Sequence, residues 1–347
     1  MNIDFNDMEY LKDPDEITLK ADFKQFLLSL DVPTVIDITG KDETAYRVIV
    51  TLLHGNEPSG IIAIHRWLTL DEREKPATNL RFIICSVEAA NAKPLLSHRY
   101  LDGGMDLNRC FGSDKEDDYY LRAKLIQQAI NDVSPDAVVD LHNTTGSGPA
   151  FAVTPVISNK GLTLTSFFCD SIILSSIRLG ALMEQNFNCP VVTIECGGAS
   201  DEQAHEVAFR GIEQIATCPS IENYHQRNQV DIVYKPLRLK LKPYKSLSYS
   251  CHNEGYKGVT LISKIEQFNY GSARKGQMLG WLDQLGLDNL QLFNDVNENV
   301  IDEYFTVRDN QLVCATNMRI FMATTDRKVA LGDCLFYIVK QSTSDAY

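Results

Sequence analysis

Val48-Ile49-Val50-Thr51-Leu52-Leu53-His54-Gly55-Asn56-Glu57-Pro58 carries the reading of this chain. Residues 48–53 make a mostly apolar strand, and residues 60–70 continue as an apolar helix. Between them a Gly-Asn-Glu-Pro turn ends the strand. His54 and Glu57, three residues apart, can then turn toward one point, which suits a divalent metal.

Working outward, the same alternation recurs. Residues 80–85 read as the next strand, 121–131 as a helix, 137–141 as a strand and 191–194 as another. Ahead of them, residues 1 to about 42 form a lead-in with helical spacing over 21–30 and a strand over 34–38. Val- and Ile-rich strands alternating with longer helices predict an α/β fold. Its central sheet is mainly parallel or mixed and flanked by helices. Sites in such sheets lie outside the carboxyl ends of the strands. His54, His142 and Glu195 each follow an apolar run, so adjacent strand ends bring them together. After about residue 235 the character changes. Short β-type runs at 258–262, 278–282 and 334–339 are punctuated by Gly and polar turns, with no long helical pattern. A catalytic domain over 1–235 and a smaller, mostly antiparallel β-rich domain over 236–347 are expected.

Composition narrows the function. The chain has 347 residues, 44% apolar and 23% charged, with a formal net charge of -13. No basic face for nucleic acid is evident. No stretch approaches the length of a membrane span. The nine cysteines are scattered without a C-x-x-C pair, which suits free thiols in a reducing compartment. The acidic N-terminus lacks the basic and apolar regions of a signal peptide, so a cytoplasmic location is expected. Nothing identifies an oligomeric interface.

Two imidazoles and a carboxylate form a common catalytic zinc shell that leaves a position open for water. His54, Glu57 and His142 are the candidate ligands; the plainer alternative is a turn in which Glu57 caps the following helix. Asp140, two residues before His142, is placed to hold the second imidazole nitrogen unless strand alternation turns it away. Glu195, before Cys196-Gly197-Gly198, is the candidate general base beside a metal-bound water. In Asp106-Leu107-Asn108-Arg109, Arg109 offers a fork for a carboxylate and Asn108 an amide, against a surface pair of Arg109 with Asp106 or Asp102. Arg99 is a second candidate, for a substrate anion or a developing oxyanion. Asn143-Thr144-Thr145-Gly146 either orients His142 or lines the pocket. His65 reads as a packed helix residue, and His98, His205, His225 and His252 have no comparable setting. There is no G-x-S-x-G for a serine hydrolase and no phosphate loop.

Together, His54-Gly55-Asn56-Glu57, Asp106-Leu107-Asn108-Arg109, Asp140-Leu141-His142-Asn143-Thr144-Thr145 and a strand ending at Glu195 resemble the succinylglutamate desuccinylase/aspartoacylase family, a branch of the zinc carboxypeptidase-like hydrolases. The resemblance covers residues 45 to 215 strongly and the C-terminal region more loosely. It implies one zinc held by His54, Glu57 and His142, with Glu195 promoting attack by water. It further implies that Asn108 and Arg109 bind a substrate carboxylate and that Arg99 polarises the scissile carbonyl or holds an anion; Asn143, on the residue reading alone, is a further substrate-binding candidate. The implied substrates are small N-acyl amino acids, with a β domain narrowing access to the cleft.

The chain departs from that pattern at several places. Gly103 and Gly104 lengthen the segment between Arg99 and Asn108, and Gln185 stands where aspartate-specific members carry an arginine, the nearest preceding one being Arg178. The tyrosine that contacts substrate in those enzymes has no counterpart that can be placed. Residues 271–280 resemble a lipoyl-like hairpin but serve as scaffold. The departures put the named substrates in question and leave deacylase chemistry intact. A carboxypeptidase or peptidoglycan-fragment amidase acting on short peptides is the nearest rival, and a metal-dependent binding protein without turnover is the third.

Overall fold

Alternation along the apolar runs sorts the side chains onto two covered faces. The computed structural model describes residue 5 and residues 7–175, 178–222, 229–294, 296–332 and 334–340. These residues divide into two compact units: those up to Asn143 with Ala150–Ile232, and Thr144–Pro149 with those from Val233 onward.

The first unit is built on β1 (Glu9–Lys12), β2 (Thr34–Ile38), β3 (Asp42–Thr51), β4 (Thr78–Ile84), β5 (Ala137–Thr144), β6 (Phe151–Thr154), β7 (Ser171–Leu174) and β8 (Val191–Gly198), with β9 (Asp231–Tyr234) at the unit boundary. The sheet order is β1-β2-β4-β3-β5-β8-β6-β7-β9. β1/β2, β3/β4, β3/β5 and β6/β7 pair parallel, whereas β2/β4 and β6/β8 are antiparallel. The helices are α1 (Glu16–Leu19), α2 (Phe23–Leu28), α3 (Ser59–Leu68), α4 (Val87–Asn91), α5 (Asp118–Asn131), α6 (Asn159–Ser166) and α7 (Glu202–Thr217).

Val48, Val50 and Val138 enter a core with Ala123 and Ile126 of α5. Ile49, Val139 and Ile194 face the other way, into a core with Ile64 of α3 and Ile212 of α7. A strand buried on both faces reads as a continuous apolar run, which is how residues 48–53 read. Arg47, fully buried, donates through Nη1 to the carbonyls of Ile215 (2.7 Å) and Cys218 (2.6 Å), where a cation also suits the C-terminal end of α7.

The lead-in is more integral than its sequence suggests. β1 and β2 extend the same sheet, and Phe26 and Leu27 of α2 are fully buried. The short β1 is mostly exposed, with only Leu11 partly buried, and has no long apolar run, so periodicity carries little signal there.

The second unit carries two five-stranded sheets. One has the order β13 (Ser272–Ala273), β18 (Met318–Phe321), β19 (Phe336–Lys340), β10 (Leu237–Leu241), β15 (Leu290–Leu292); the other has β11 (Leu247–Ser250), β12 (Val259–Ile262), β14 (Met278–Leu282), β17 (Gln311–Cys314), β16 (Phe305–Arg308). Among the described residues, its strand-to-strand pairings are antiparallel except β11/β12. Its own core includes Leu239, Leu261, Phe305 and Phe336. Thr144–Pro149 is built into this unit: Asn269 Nδ2 donates to the Ser147 carbonyl (3.1 Å) and the Ala323 carbonyl (2.9 Å), while Ala323 N–H donates to Asn269 Oδ1 (2.7 Å). Among the described residues, no helix is long and apolar enough to cross a membrane.

Candidate metal and active site

Strand β3 stops at Thr51, and Leu52 takes a left-handed backbone with φ 53°. For a side chain as bulky as Leu that conformation is costly and typical of a site where geometry is forced. It swings His54 out of the strand line. Gly55 then passes so close to its neighbours that a Cβ would lie 2.6 Å from the Ala90 amide nitrogen and 2.7 Å from the His98 carbonyl oxygen. Gly55 N–H donates to the Arg99 carbonyl (3.0 Å), tying the turn to the Arg99 segment. Helix α3 is capped by Pro58 without a side-chain bond, so the Glu57 carboxylate is not spent on capping.

That carboxylate instead faces two imidazoles. Glu57 Oε1 lies 2.8 Å from His54 Nδ1, and Oε2 lies 2.7 Å from His142 Nδ1. All three side chains are buried, and their ligand atoms lie within 4.8 Å of one another. The far nitrogens are held as well: His54 Nε2 is 2.8 Å from Asp106 Oδ1, and His142 Nε2 is 2.8 Å from Asp140 Oδ2. Carboxylates behind ligating imidazoles fix the ring orientation and raise ligand basicity. Two Nδ1 donors and one carboxylate, each imidazole backed by an Asp, therefore fit a zinc-type divalent ion in both composition and support.

Charge follows geometry. Burial works against the charge on Glu57, but His54 and His142 hold its carboxyl well below the usual range. Burial likewise opposes ionisation of Asp106, and the His54 hydrogen bond with Arg99 overrides it. His142 is held protonated well above its ordinary pKa, against burial, by Asp140 and Glu57. In such a nest of acceptors a divalent cation is the alternative to protons.

Strand alternation places the remaining groups. Asp140 and His142, two apart on β5, share a face, which is why Asp140 reaches His142. On the adjacent β8, Thr193 Oγ1 donates to Asp140 Oδ2 (3.3 Å), and Glu195 shares the face of Thr193. Burial pushes the Glu195 carboxyl up to about 7; His142 opposes the shift and Glu57 adds to it. A partly exposed carboxyl so tuned has the acidity of a general base and acid.

Arg99 is partly exposed and donates to Glu57 Oε1 (3.3 Å) and Asp106 Oδ2 (2.9 Å). Burial disfavours its charge, but Glu57, Asp106 and Glu195 hold its pKa above the ordinary value. Asn108 is buried; its Oδ1 accepts Leu182 N–H (2.9 Å) and its Nδ2 lies 3.3 Å from His142 Nε2. Arg109 is exposed, with Nη1 on the Asn108 carbonyl (2.6 Å). The surface pair of Arg109 with Asp106 does not form as an ion pair, because Asp106 is engaged by His54 and Arg99. Asn143 is buried, and its amide is taken up by Ser59 and the Gly197 carbonyl. Gln185 packs beside Gly112 and accepts from Gln127 (3.2 Å). Arg178 is exposed.

Residues 47–209 match the succinylglutamate desuccinylase/aspartoacylase catalytic domain. That segment is similar to the catalytic domain of this family. Solved structures resemble the chain over nearly its whole length. A succinylglutamate desuccinylase/aspartoacylase from Rhodobacter sphaeroides superposes with a TM-score of 0.56 at 15% identity, covering 89% of each chain. Succinylglutamate desuccinylase from Vibrio parahaemolyticus gives 0.56 at 15%, covering 93% of this chain and 96% of that one. A mutant of murine aminoacylase 3 gives 0.50 at 15%, covering 86% and 95%. At these identities the likeness is one of fold. No curated relative matches the chain significantly.

Three features of this candidate site escaped the sequence. Asp106 as the partner of His54 is separated from it by 52 residues. The left-handed Leu52 has no signature in an apolar run. Ser59 and His205, 2.8 Å apart, lie on two helices with nothing local to connect them.

Proposed function

We propose that this protein is a zinc-dependent hydrolase that cleaves the amide bond of a small N-acyl amino acid. One observation carries the reading: the two oxygens of Glu57 face the Nδ1 atoms of His54 and His142, and Glu195, tuned to about 7, lies on the adjoining strand. His54, Glu57 and His142 would hold the metal. Zinc, when bound there, supplies Lewis acidity and lowers the pKa of a water molecule. Asp106 and Asp140 keep the imidazoles in the tautomer that leaves Nδ1 as ligand. The Glu195 carboxylate takes a proton from the attacking water and delivers it to the departing amide nitrogen. Arg99 stabilises charge developing on the carbonyl oxygen. Arg109, with Asn108 beneath it, binds the substrate carboxylate through its exposed guanidinium. Asn143, given to substrate on sequence grounds, has its amide engaged by Ser59 and Gly197. We assign catalysis to residues 1–235. No disulfide joins the nine cysteines, which supports a reducing cytoplasm as its location.

The deciding experiment measures free amine released from a panel of N-acyl amino acids and short peptides, with zinc-loaded and metal-stripped enzyme side by side. Zinc-dependent cleavage of particular N-acyl amino acids is expected. Cleavage of peptides alone would replace the deacylase reading with a peptidase, with Arg109 as anchor for the C-terminal carboxylate. Zinc and ligand binding without any product would leave only a binding protein.

A further inference from the structure

Behind the metal-ligand cluster runs a hydrogen-bond chain whose direction is fixed by its donors. Asn143 Oδ1 accepts Ser59 N–H (3.0 Å), which settles the amide orientation. Asn143 Nδ2 then donates to the Gly197 carbonyl (2.9 Å) and to Ser59 Oγ (2.7 Å). Because Ser59 Oγ accepts from Asn143, its own hydrogen goes to its remaining partner, His205 Nδ1, at 2.8 Å. His205 Nδ1 is therefore bare, and the ring is neutral with its proton on Nε2. Burial lowers the His205 pKa, against Glu202 and Asp201, in the same sense.

The chain reaches three segments of the site at once. Ser59 stands two residues after Glu57, Asn143 directly after His142, and Gly197 two after Glu195. Asn143 N–H also donates to Glu57 Oε2 (3.2 Å). A single buried amide thus joins the start of α3, the end of β5 and the end of β8, and Ser59 is fully buried beneath it. Were His205 Nδ1 protonated, Ser59 Oγ, on a fully buried side chain, would face two donors and its hydrogen would be left without its acceptor, a costly arrangement.

We propose that His205 is a positioning residue. As a neutral acceptor it fixes the direction of the Ser59–Asn143 chain and so holds the Glu195 strand end against the Glu57–His142 pair. The kinetic part of this inference rests on the hydrolase reading; the hydrogen-bond direction does not.

Nitrogen-detected imidazole spectra of the full-length protein test the direction, with the His205 signal assigned by its loss in His205→Asn. A protonated Nε2 and bare Nδ1 at neutral pH are expected; a protonated Nδ1 or an imidazolium overturns the proposal. Kinetics test the positioning, since an Asn side chain can present an oxygen where Nδ1 sits and Leu cannot. His205→Leu is expected to lower kcat about tenfold or more with little change in KM, and His205→Asn to stay within about threefold of wild type. Equal impairment of both variants, or of neither, overturns it. An inactive wild type would refute the hydrolase reading alone, and the imidazole spectrum would then decide the proposal.

Discussion

Glu195 illustrates what the site demands of a single residue. Its carboxyl is raised from 4.5 to about 7, so the folded chain holds that proton more tightly than the unfolded one. The stability this contributes is complete below the unfolded pKa and lost as pH rises through the folded value. Metal-stripped Glu195→Gln should consequently melt higher than wild type at about pH 8, with the difference closing near pH 4, as thermal scans at the two pH values would show. The same variant should lose about a hundredfold or more in kcat while retaining zinc, and wild-type kcat/KM should fall on the acid side of about 7. Zinc loss equal to the loss of turnover would refute its role as base. Asp106→Asn should weaken zinc binding about 10–100-fold, read by chelator competition, because it removes the carboxylate behind His54. The convergence of His54, Glu57 and His142 was legible because each lies in or just after the carboxyl end of an apolar strand of one sheet. Asp140 was half legible, since its i, i+2 relation to His142 puts both on one strand face whatever surrounds them. Asp106 was not, because a contact across 52 residues depends on how a loop folds back.

Elements place these residues through close approach. Gly60, in the first turn of α3, packs so tightly that a Cβ would lie 2.0 Å from Thr51 Oγ1 and 2.6 Å from Thr51 Cβ. Gly60→Ala should therefore push the helix start off β3, costing about 1–3 kcal/mol in denaturant unfolding. Glu57 precedes the helix by two residues, so zinc affinity should fall with stability; an unchanged Thr51 contact and unchanged affinity would count against this view. The strong elements were visible as periodicity: the strand before His54, the helix after it and the strand ending in His142 all form, within a few residues of their expected limits. Strand direction was less visible. The antiparallel β6/β8 pair and the edge position of β1 follow from chain reversals that leave no mark in apolar spacing.

For the whole molecule, the relevant fact is that the candidate metal cluster of His54, Glu57 and His142 lies in one unit while each unit has its own core. Zinc at about a thousand times its Kd should stabilise the first unit by about 4 kcal/mol, moving its unfolding transition in calorimetry. A transition indifferent to zinc would speak against the ligand set. The sequence announced the β-rich second part through its change of texture near residue 235, yet could not show that Thr144–Pro149 packs there, since those six residues are polar and carry no period. Their placement means that the backbone passes between the units three times, after Asn143, after Pro149 and after Ile232. The two units are thus laced rather than strung. A protease cutting once near the last passage would leave two polypeptides that still share the 144–149 stitch, pinned by Asn269, and the nicked protein should elute from a sizing column as one particle.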